Sequence, residues 1–309
     1  MRRQDKKQFI TSKLFYLLVI FLLASIFSCK KMVTDDLPFI EPVPVVNALL
    51  VNDKPINFHV SFAKLPDNKS NICKNAEVKL FVDDVFAELV AFDESMQLYP
   101  TNTIAKAGKK YSCEVYIPGY DSLFAETSIP QPANIYDMEY ILVAGFDDEG
   151  RSYPAIRFTF DTDPDKMMYY QAVLPRGEDY EYYLYNPIDP VINNEGTDFP
   201  IFSNEIIKTN SYRMELSFYT GSHSEWITYN PAVALQFKSA SEEFYKYIKQ
   251  LYLYKEYDKN MGDMINNILV GTMYTPNMYS NVIGGYGIFA GLSVTVCDTI
   301  YPPERQGDW

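Results

Sequence analysis

Apolar and polar residues alternate with a period of two in short stretches between Val45 and about Pro130. In "AEVKLFVDD", Val78 and Leu80 flank Lys79, and "KKYSCEVYI" keeps the same alternation from Tyr111 to Ile117. Successive side chains of a strand point to opposite faces, so this period predicts half-buried antiparallel strands. Because no helical stretch separates them, residues 44–132 are predicted to form an immunoglobulin-like or transthyretin-like β-sandwich.

A second set of patterns begins after "SIPQPAN" (128–134), where two prolines interrupt the alternation and predict a domain boundary. Beyond it, "YILVAGFDDEGRSYPAIRFTF" is typical of a hairpin with an acidic, glycine-containing turn. Residues 186–204 are rich in turn-forming residues and predict a long loop.

One stretch of this second region predicts a helix near 240–257. "SASEEFYKYIKQLYLYKEYDKN" has apolar residues at helical spacing, early acids, and Ser239 or Ser241 as a cap. The fold class predicted for the chain is therefore all-β. Residues 133–301 form a larger antiparallel β-sandwich or barrel domain that carries one α-helix, and 302–309 form a tail.

The N-terminus has the layout of an export signal. Residues 1–13 contain five basic residues and one acid, and fourteen residues without a charge follow from Leu14 to Phe27. A membrane-spanning helix needs about 20 apolar residues, so this run is short for a permanent span and suits the apolar core of a signal peptide. Residues 1–28 are predicted to be this lipoprotein signal peptide.

The end of the apolar run resembles a bacterial lipobox. Ile26, Phe27, Ser28 and Cys29 supply an aliphatic residue, a variable residue, a small residue and a cysteine in that order. In this interpretation cleavage falls between Ser28 and Cys29, and Cys29 carries acyl chains such as palmitate. Several acyl chains together anchor a protein stably without a membrane span. Residues 29–43 are predicted to be the lipidated tether.

Composition narrows the classes of partner. The chain has 27 basic and 40 acidic residues, and removing residues 1–28 changes the net charge from −13 to −17. Such acidity argues against nucleic acid and anionic lipid headgroups as partners, and it also keeps a protein soluble. The 26 tyrosines and 20 phenylalanines favour strands, which accept aromatic residues well.

Candidate catalytic and metal-binding groups are few in the sequence. His59 falls on the polar face of a predicted strand. His223 lies in "GSHSEW", which lacks the G-x-S-x-G motif that presents a nucleophilic serine on a sharp turn in hydrolases. Asp161, Asp163 and Asp165 begin like a calcium loop, but the glycine and the glutamate that this loop requires are missing. "GGYGIFAG" precedes a strand where a nucleotide fingerprint needs a helix. The sequence therefore predicts no catalytic residue, no metal site and no cofactor.

Two further sets of residues have both a functional and an ordinary interpretation. Tyr180, Tyr182 and Trp226 are candidates to stack on a glycan or peptide ligand, and packing within a sheet is the alternative. Cys73 and Cys113 are candidates for a disulfide, because a lipobox implies an oxidising compartment. The alternative is that the cysteines are small buried hydrophobic residues.

Four features, which together cover nearly the whole mature chain, carry a family resemblance. They are the lipoprotein start, "AGKKYSCEVYIPGYDSLFAETSIPQP", the "SASEEFYKYIKQL" helix, and "PNMYSNVIGGYGIFAG" with Asn281, Gly284, Gly285, Gly287, Phe289 and Gly291 in place. The chain thereby resembles the Bacteroidota lipoproteins with the domain of unknown function numbered 4249. Members are typically encoded beside SusC-like TonB-dependent transporters. The resemblance therefore implies a place in outer-membrane nutrient uptake, and it implies no catalytic residues.

Together these observations predict a binding protein rather than an enzyme. We expect an accessory lipoprotein of a TonB-dependent nutrient uptake system, anchored by its lipid in the outer membrane and facing the cell exterior. Its expected partners are the membrane, a SusC-like transporter and a glycan or peptide ligand, and nucleic acid is not among them. The alternative hypothesis is a structural or adhesive cell-surface lipoprotein whose β-domains act as spacers.

Overall fold

The computed structural model describes residues 42–63, 71–176, 180–181, 189–197, 199–220, 231–260 and 278–303, and at 180–181 and 255–260 it describes the backbone alone. Its strands are β1 (Val43–Val51), β2 (Pro55–Ala63), β3 (Glu77–Val82), β4 (Val85–Val90), β5 (Tyr99–Ile104), β6 (Lys110–Tyr116), β7 (Leu123–Ser128), β8 (Ile135–Phe146), β9 (Ser152–Asp161), β10 (Tyr169–Val173), β11 (Pro175–Arg176), β12 (Tyr180–Glu181), β13 (Ile201–Ser203), β14 (Ser211–Ser217), β15 (Gln236–Ala240) and β16 (Tyr286–Val296). Its helices are α1 (Pro190–Asn194) and α2 (Glu242–Asn260).

These strands form four sheets. The largest has the order β13-β10-β15-β16-β1-β2-β5, and the others are β4-β3-β6-β7, β14-β9-β8 and β11-β12. The paired strands run antiparallel, except that β1 and β16 run parallel. The predicted all-β fold class, with antiparallel sheets packed in the manner of a sandwich, is confirmed. No helix among the described residues is long and apolar enough to cross a bilayer.

The first hydrophobic core lies between the four-stranded sheet and the β1-β2-β5 part of the large sheet. Val78 and Leu80 of β3 and Cys113 of β6 are buried in it, in the phase that the sequence predicts. Phe289 of β16 lies in the same core, and its ring stacks on Phe58 of β2 with centroids 5.8 Å apart. A strand from the end of the chain therefore completes the core of the first predicted domain.

The second core lies between the three-stranded sheet and the β13-β10-β15 part of the large sheet. It is built from five closely packed aromatic rings, whose neighbouring centroids lie 4.8–6.3 Å apart: Phe158, Phe160, Tyr170, Phe202 and Phe237. Edge-to-face and offset ring pairs of this kind add about 0.5–1.5 kcal/mol each to simple area burial. These five aromatic residues are thus accounted for by packing.

One sheet crosses the predicted boundary between residues 132 and 133. β1 contributes Val46 opposite Gly287 and Leu50 opposite Gly291 of β16, and this pairing joins the two halves of the seven-stranded sheet. From residue 42 onward the chain forms a single compact unit. The two-domain division stays a prediction, and the structure adds that hydrogen bonding is continuous across it.

Side chains of β15 and β16 hold the proline-marked connection at residues 128–134 in place. The Ser293 hydroxyl donates to the Pro130 carbonyl at 2.6 Å, and the Thr295 hydroxyl donates to the Ala133 carbonyl at 3.0 Å. The Ala133 amide in turn donates to the Ser239 hydroxyl oxygen at 3.1 Å. The connection therefore lies along the large sheet as a bound segment.

The helix predicted near 240–257 is confirmed as α2. Of the two candidate caps, Ser241 is the one used, because its hydroxyl oxygen accepts from the Phe244 amide at 3.4 Å. The apolar side of α2 packs on the outer face of the large sheet, where Phe244 and Ile248 contact the cluster that contains Ile288 and Leu292. This packing is the core-facing role that amphipathic spacing predicts.

Candidate functional site

One concave surface among the described residues lies on the outer face of the three-stranded sheet. The register places Arg157 of β9 directly between Glu215 of β14 and Glu139 of β8. Arg157 donates to the Glu215 carboxylate through Nε at 3.0 Å and Nη2 at 2.5 Å, and to Glu139 through Nη1 at 3.4 Å. Arg213 of β14 also donates to Glu139 at 3.0 Å. The four side chains form one row of alternating charge, which we call the charge row.

A buried acid closes one side of this surface. The Asp189 carboxylate accepts from the Val191 amide at 2.9 Å, which caps α1, from the Tyr212 hydroxyl at 3.0 Å, and from the Glu215 amide at 3.4 Å. Burial raises the pKa of Asp189 above its ordinary value, although these hydrogen bonds act in the opposite direction. Burial first, and then the Asp189 charge, raise the pKa of Tyr212. Asp189 therefore covers the edge of β14 and fixes the Tyr212 ring.

Together these groups line an open depression of about 520 Å³, which we call the polar depression. Its lining residues are Arg157, Asp189, Pro190, Tyr212, Arg213 and Glu215. These described residues include no serine, cysteine or histidine, so they offer no serine or cysteine nucleophile and no imidazole base. The hydrogen bond to Glu215 raises the pKa of Arg157 further, so its charge is permanent. The arrangement is suited to hydrogen bonding a polar ligand.

A second polar cluster joins α2 to the sheet. The Glu195 carboxylate, just after α1, accepts from Lys249 Nζ at 2.7 Å, from the Tyr245 hydroxyl, and from the Ser203 amide at 2.7 Å. The Glu195 side chain is 3% exposed and that of Lys249 26%. Burial raises the pKa of Glu195, but the hydrogen bonds from Lys249, Tyr245 and Ser203 outweigh it and leave the pKa below its ordinary value. This ion pair therefore fixes the position of α2.

The glycine-rich motif near the end of the chain is a structural device. A Cβ on Gly287, whose φ is +125°, would lie 2.0 Å from the Val46 carbonyl oxygen, and one on Gly291 would lie 2.4 Å from that of Ser128. The Asn281 amide nitrogen donates to the Phe289 carbonyl at 2.8 Å, and its oxygen accepts from the Phe289 amide at 3.0 Å. The motif thus brings β16 close against β1 and the connection, and no nucleotide-type loop forms there.

Several predicted site residues fall outside the described part of the chain. They are Ser28 and Cys29 of the lipobox, the candidate stacking residues Tyr182 and Trp226, and His223. Tyr180 is described by its backbone alone, which pairs with Arg176 in the β11-β12 ribbon. The lipid-attachment and stacking interpretations therefore stay predictions.

The candidate disulfide between Cys73 and Cys113 is not formed, and the structure corrects this expectation. Both are buried free thiols of the first core. The Cys73 amide donates to the Val60 carbonyl of β2, whereas Cys113 lies opposite Leu80 within the four-stranded sheet. The two residues thus belong to opposite sheets. Burial raises the pKa of both thiols, that of Cys113 to about 12, which keeps them protonated and unreactive.

The predicted acidic turn and His59 also have ordinary environments. Asp163 accepts from Lys166 Nζ at 2.9 Å and from the Asp165 amide at 3.0 Å, while Asp161 accepts from the Asn134 side chain at 3.1 Å. His59 lies on β2 opposite Asn47. Among the described residues, no group of three or more histidines, cysteines, aspartates or glutamates could hold a metal ion.

The charged residues of two strands could have indicated the polar depression, although the patterns of apolar residues do not. Arg157 interrupts the apolar phase of "AIRFTF", and Arg213 and Glu215 alternate with buried residues in "YRMELS". Alternating charges on two strands can indicate a shared polar face, but they do not identify which strands pair. Asp189 and Glu195 lie in a stretch that predicts a loop, so their burial had no local signal.

The fold defines a class: all-β proteins whose mainly antiparallel sheets pack in the manner of a sandwich. Within that class the chain belongs to the family described as "Domain of unknown function (DUF4249)", whose model matches residues 31–297. A search among curated proteins finds no match.

Proposed function

We propose that the protein is a lipid-anchored accessory protein of a TonB-dependent nutrient uptake system in the outer membrane, with the cell exterior as its working side. It acts without catalysis and binds a nutrient, a SusC-like transporter, or both. The observation that carries this proposal is the N-terminal series of basic residues, an uncharged run and Cys29 in a lipobox-like context. The resemblance to Bacteroidota lipoproteins of the same family supports it.

The polar depression is the surface that best fits nutrient binding. Two arginines and two glutamates in the charge row neutralise one another, so a charged ligand would have to separate existing ion pairs. A neutral ligand can use the donors and lone pairs that remain, since each guanidinium has five N–H groups and each carboxylate about four acceptor sites. We therefore expect a neutral, hydroxyl-rich ligand, and a glycan fragment has this chemistry.

Metabolic labelling with radioactive palmitate tests the anchor. The full-length protein should take up the label and fractionate with outer membranes, whereas Cys29→Ser should lose both properties because its side chain accepts no acyl chain. The matched control is Cys297→Ser, which changes a thiol far along the sequence and should leave labelling intact. Label retained by Cys29→Ser, or no label on the unaltered protein, would contradict the proposal.

Two measurements separate uptake from the alternative of a structural or adhesive surface lipoprotein. Co-purification from native membranes should recover a TonB-dependent transporter. In a thermal-shift screen with soluble glycans and peptides, at least one ligand should raise the melting temperature of the protein, since a ligand that binds only the folded state stabilises it. Arg213→Ala should abolish a glycan-dependent shift at the polar depression. Matrix binding with neither a transporter nor a soluble ligand would favour the adhesive alternative.

A further inference from the structure

A second concave surface, distinct from the polar depression, lies between the start of β8 and the chain that follows β16. It is lined by nine residues and has a volume of about 560 Å³: Ile135, Tyr136, Met138, Val296, Cys297, Asp298, Thr299, Ile300 and Tyr301. We call it the β8 groove. None of these residues takes part in the charge row or in the Glu195 cluster.

Three large apolar side chains that line the β8 groove are exposed to solvent. Tyr136 is 36% exposed, Val296 68% and Tyr301 73%, and these three large side chains line one surface. Single exposed hydrophobic residues are common on protein surfaces, but neighbouring ones beside a concave surface mark interaction sites. An occupant of the groove would therefore remove apolar area from water.

The backbone at the groove suits an extended occupant. β8 is the edge strand of the three-stranded sheet, and edge strands present backbone N–H and C=O groups to a further chain. The pairing of β8 with β9 shifts register between Tyr136 and Glu139, and Asp137 has a φ of +52°. Such a bulge bends the strand locally and increases its twist beside the groove. An occupant of the groove would lie between this edge and the chain at 296–301.

The charge of the groove selects the kind of segment. Its described lining residues include the acid Asp298 and no lysine or arginine, and Asp137 is exposed between two of them. Neither carboxylate has an ion-pair partner among the described residues. A second copy of this chain, with a net charge of −13, would meet electrostatic repulsion. A basic segment would instead gain attraction from both carboxylates.

We propose that the β8 groove docks an extended segment of a partner protein in which basic residues alternate with aliphatic or aromatic residues. The apolar side chains of the segment cover Tyr136, Val296 and Tyr301, and its basic side chains approach Asp298 and Asp137. The proposal does not rest on the lipid anchor or on nutrient uptake. Peptide binding can fail while palmitate labelling succeeds, and the reverse can also occur.

Binding of short fluorescein-labelled peptides to the purified full-length protein tests this proposal. A peptide of alternating lysine and leucine should bind at least about tenfold more tightly than one of alternating glutamate and leucine, with affinity falling as salt rises. Tyr301→Ala and Asp298→Asn should each weaken the lysine peptide by about fivefold or more. Tyr116 at the end of β6 and Asp121 just before β7 are exposed and lie outside the groove lining, so Tyr116→Ala and Asp121→Asn are matched controls that should leave affinity unchanged.

The thiol of Cys297 reports directly on occupancy. It is partly exposed in the groove, whereas Cys73 and Cys113 are buried, and Cys297→Ser identifies the signal that belongs to it. The lysine peptide at saturation should slow maleimide labelling of Cys297 by about fivefold or more.

Three results would overturn the proposal. The first is equal affinity for both peptides, and the second is an equal loss of affinity in the Asp121→Asn control. The third is concentration-dependent self-association that Tyr301→Ala removes, since a second copy would then be the occupant.

Discussion

At the scale of single residues, Glu195 shows how one buried carboxylate joins three elements. It follows α1, accepts from Ser203 of β13, and pairs with Lys249 of α2. Removing one partner of a buried ion pair leaves the other uncompensated, and this loss usually exceeds what the pair contributes over an apolar substitute. The stability of this cluster should therefore fall even when a substitution removes the charge of Glu195 and keeps the shape of its side chain.

We expect Glu195→Gln to lower the free energy of unfolding by about 2 kcal/mol, because Lys249 loses its counter-charge but can still reach some water. Urea unfolding followed by circular dichroism measures the loss. Glu205→Gln, at an exposed position, is the control and should change stability by less than about 0.5 kcal/mol. Equal effects of the two substitutions would show that the Glu195 ion pair contributes nothing.

The pH dependence of this pair has a definite sign. The folded-state pKa of Glu195 lies below the ordinary value of 4.5, so its stabilisation is fully present above pH 4.5 and is lost as pH falls through the folded-state pKa. The difference in unfolding free energy between the unaltered protein and Glu195→Gln should therefore be constant near neutral pH and shrink below pH 4.5. Urea titrations at several pH values measure it, and a difference that grows on acidification would contradict the assignment.

Tyr212→Phe tests the polar depression at one atom. The substitution removes the hydroxyl that donates to Asp189 and leaves two backbone donors to that carboxylate. We expect a loss of about 1 kcal/mol in unfolding free energy, the usual net value of one hydrogen bond. Tyr116→Phe, at an exposed tyrosine of β6, should not change the unfolding free energy measurably. A loss of equal size in both variants would show that the Asp189 contact is unimportant.

At the scale of elements, the close approach of β16 to β1 depends on glycine. We expect Gly287→Ala to cost about 3 kcal/mol or more, because its Cβ would lie 2.0 Å from a backbone oxygen that cannot move aside. Gly150→Ala is the matched control. Its φ of +77° is also positive but lies near the left-handed helical region, and no atom lies within 4 Å, so only about 1 kcal/mol of backbone strain is expected. Amide hydrogen exchange in β1 should rise in Gly287→Ala alone.

The periodicity of apolar residues correctly predicted elements whose pattern lies within one short stretch of sequence. The alternation around Val78 and Leu80 became the buried face of β3, and the serine-capped amphipathic stretch became α2. The parallel pairing of β1 with β16 could not be predicted, because the sequence of neither strand indicates with which distant strand it pairs. The burial of Glu195 was equally hidden, since loop-like composition gives no information about which helix will cover it.

At the scale of the whole molecule, the two cores share one sheet, and this sharing predicts that the first one cannot form alone. A fragment of residues 42–132 lacks Val282 and Phe289 of its core and leaves β1 without its β16 neighbour. We expect this fragment to give poorly dispersed amide signals in NMR spectra. Fusing residues 278–297 to it through a flexible linker should restore dispersion. A well-dispersed spectrum of the shorter fragment would instead establish an independent domain.

The partnership of β1 and β16 also sets an order of events in time. The Asn47 side chain accepts from the Ile288 amide across 241 residues of sequence, so β1 is synthesised long before the strand that pairs with it. Closing so distant a contact is slow, and until it closes β1 remains an unsatisfied edge. A chain of this kind stays loose while it is still being made or moved. We expect the pairing of β16 with β1 to be a late step of folding.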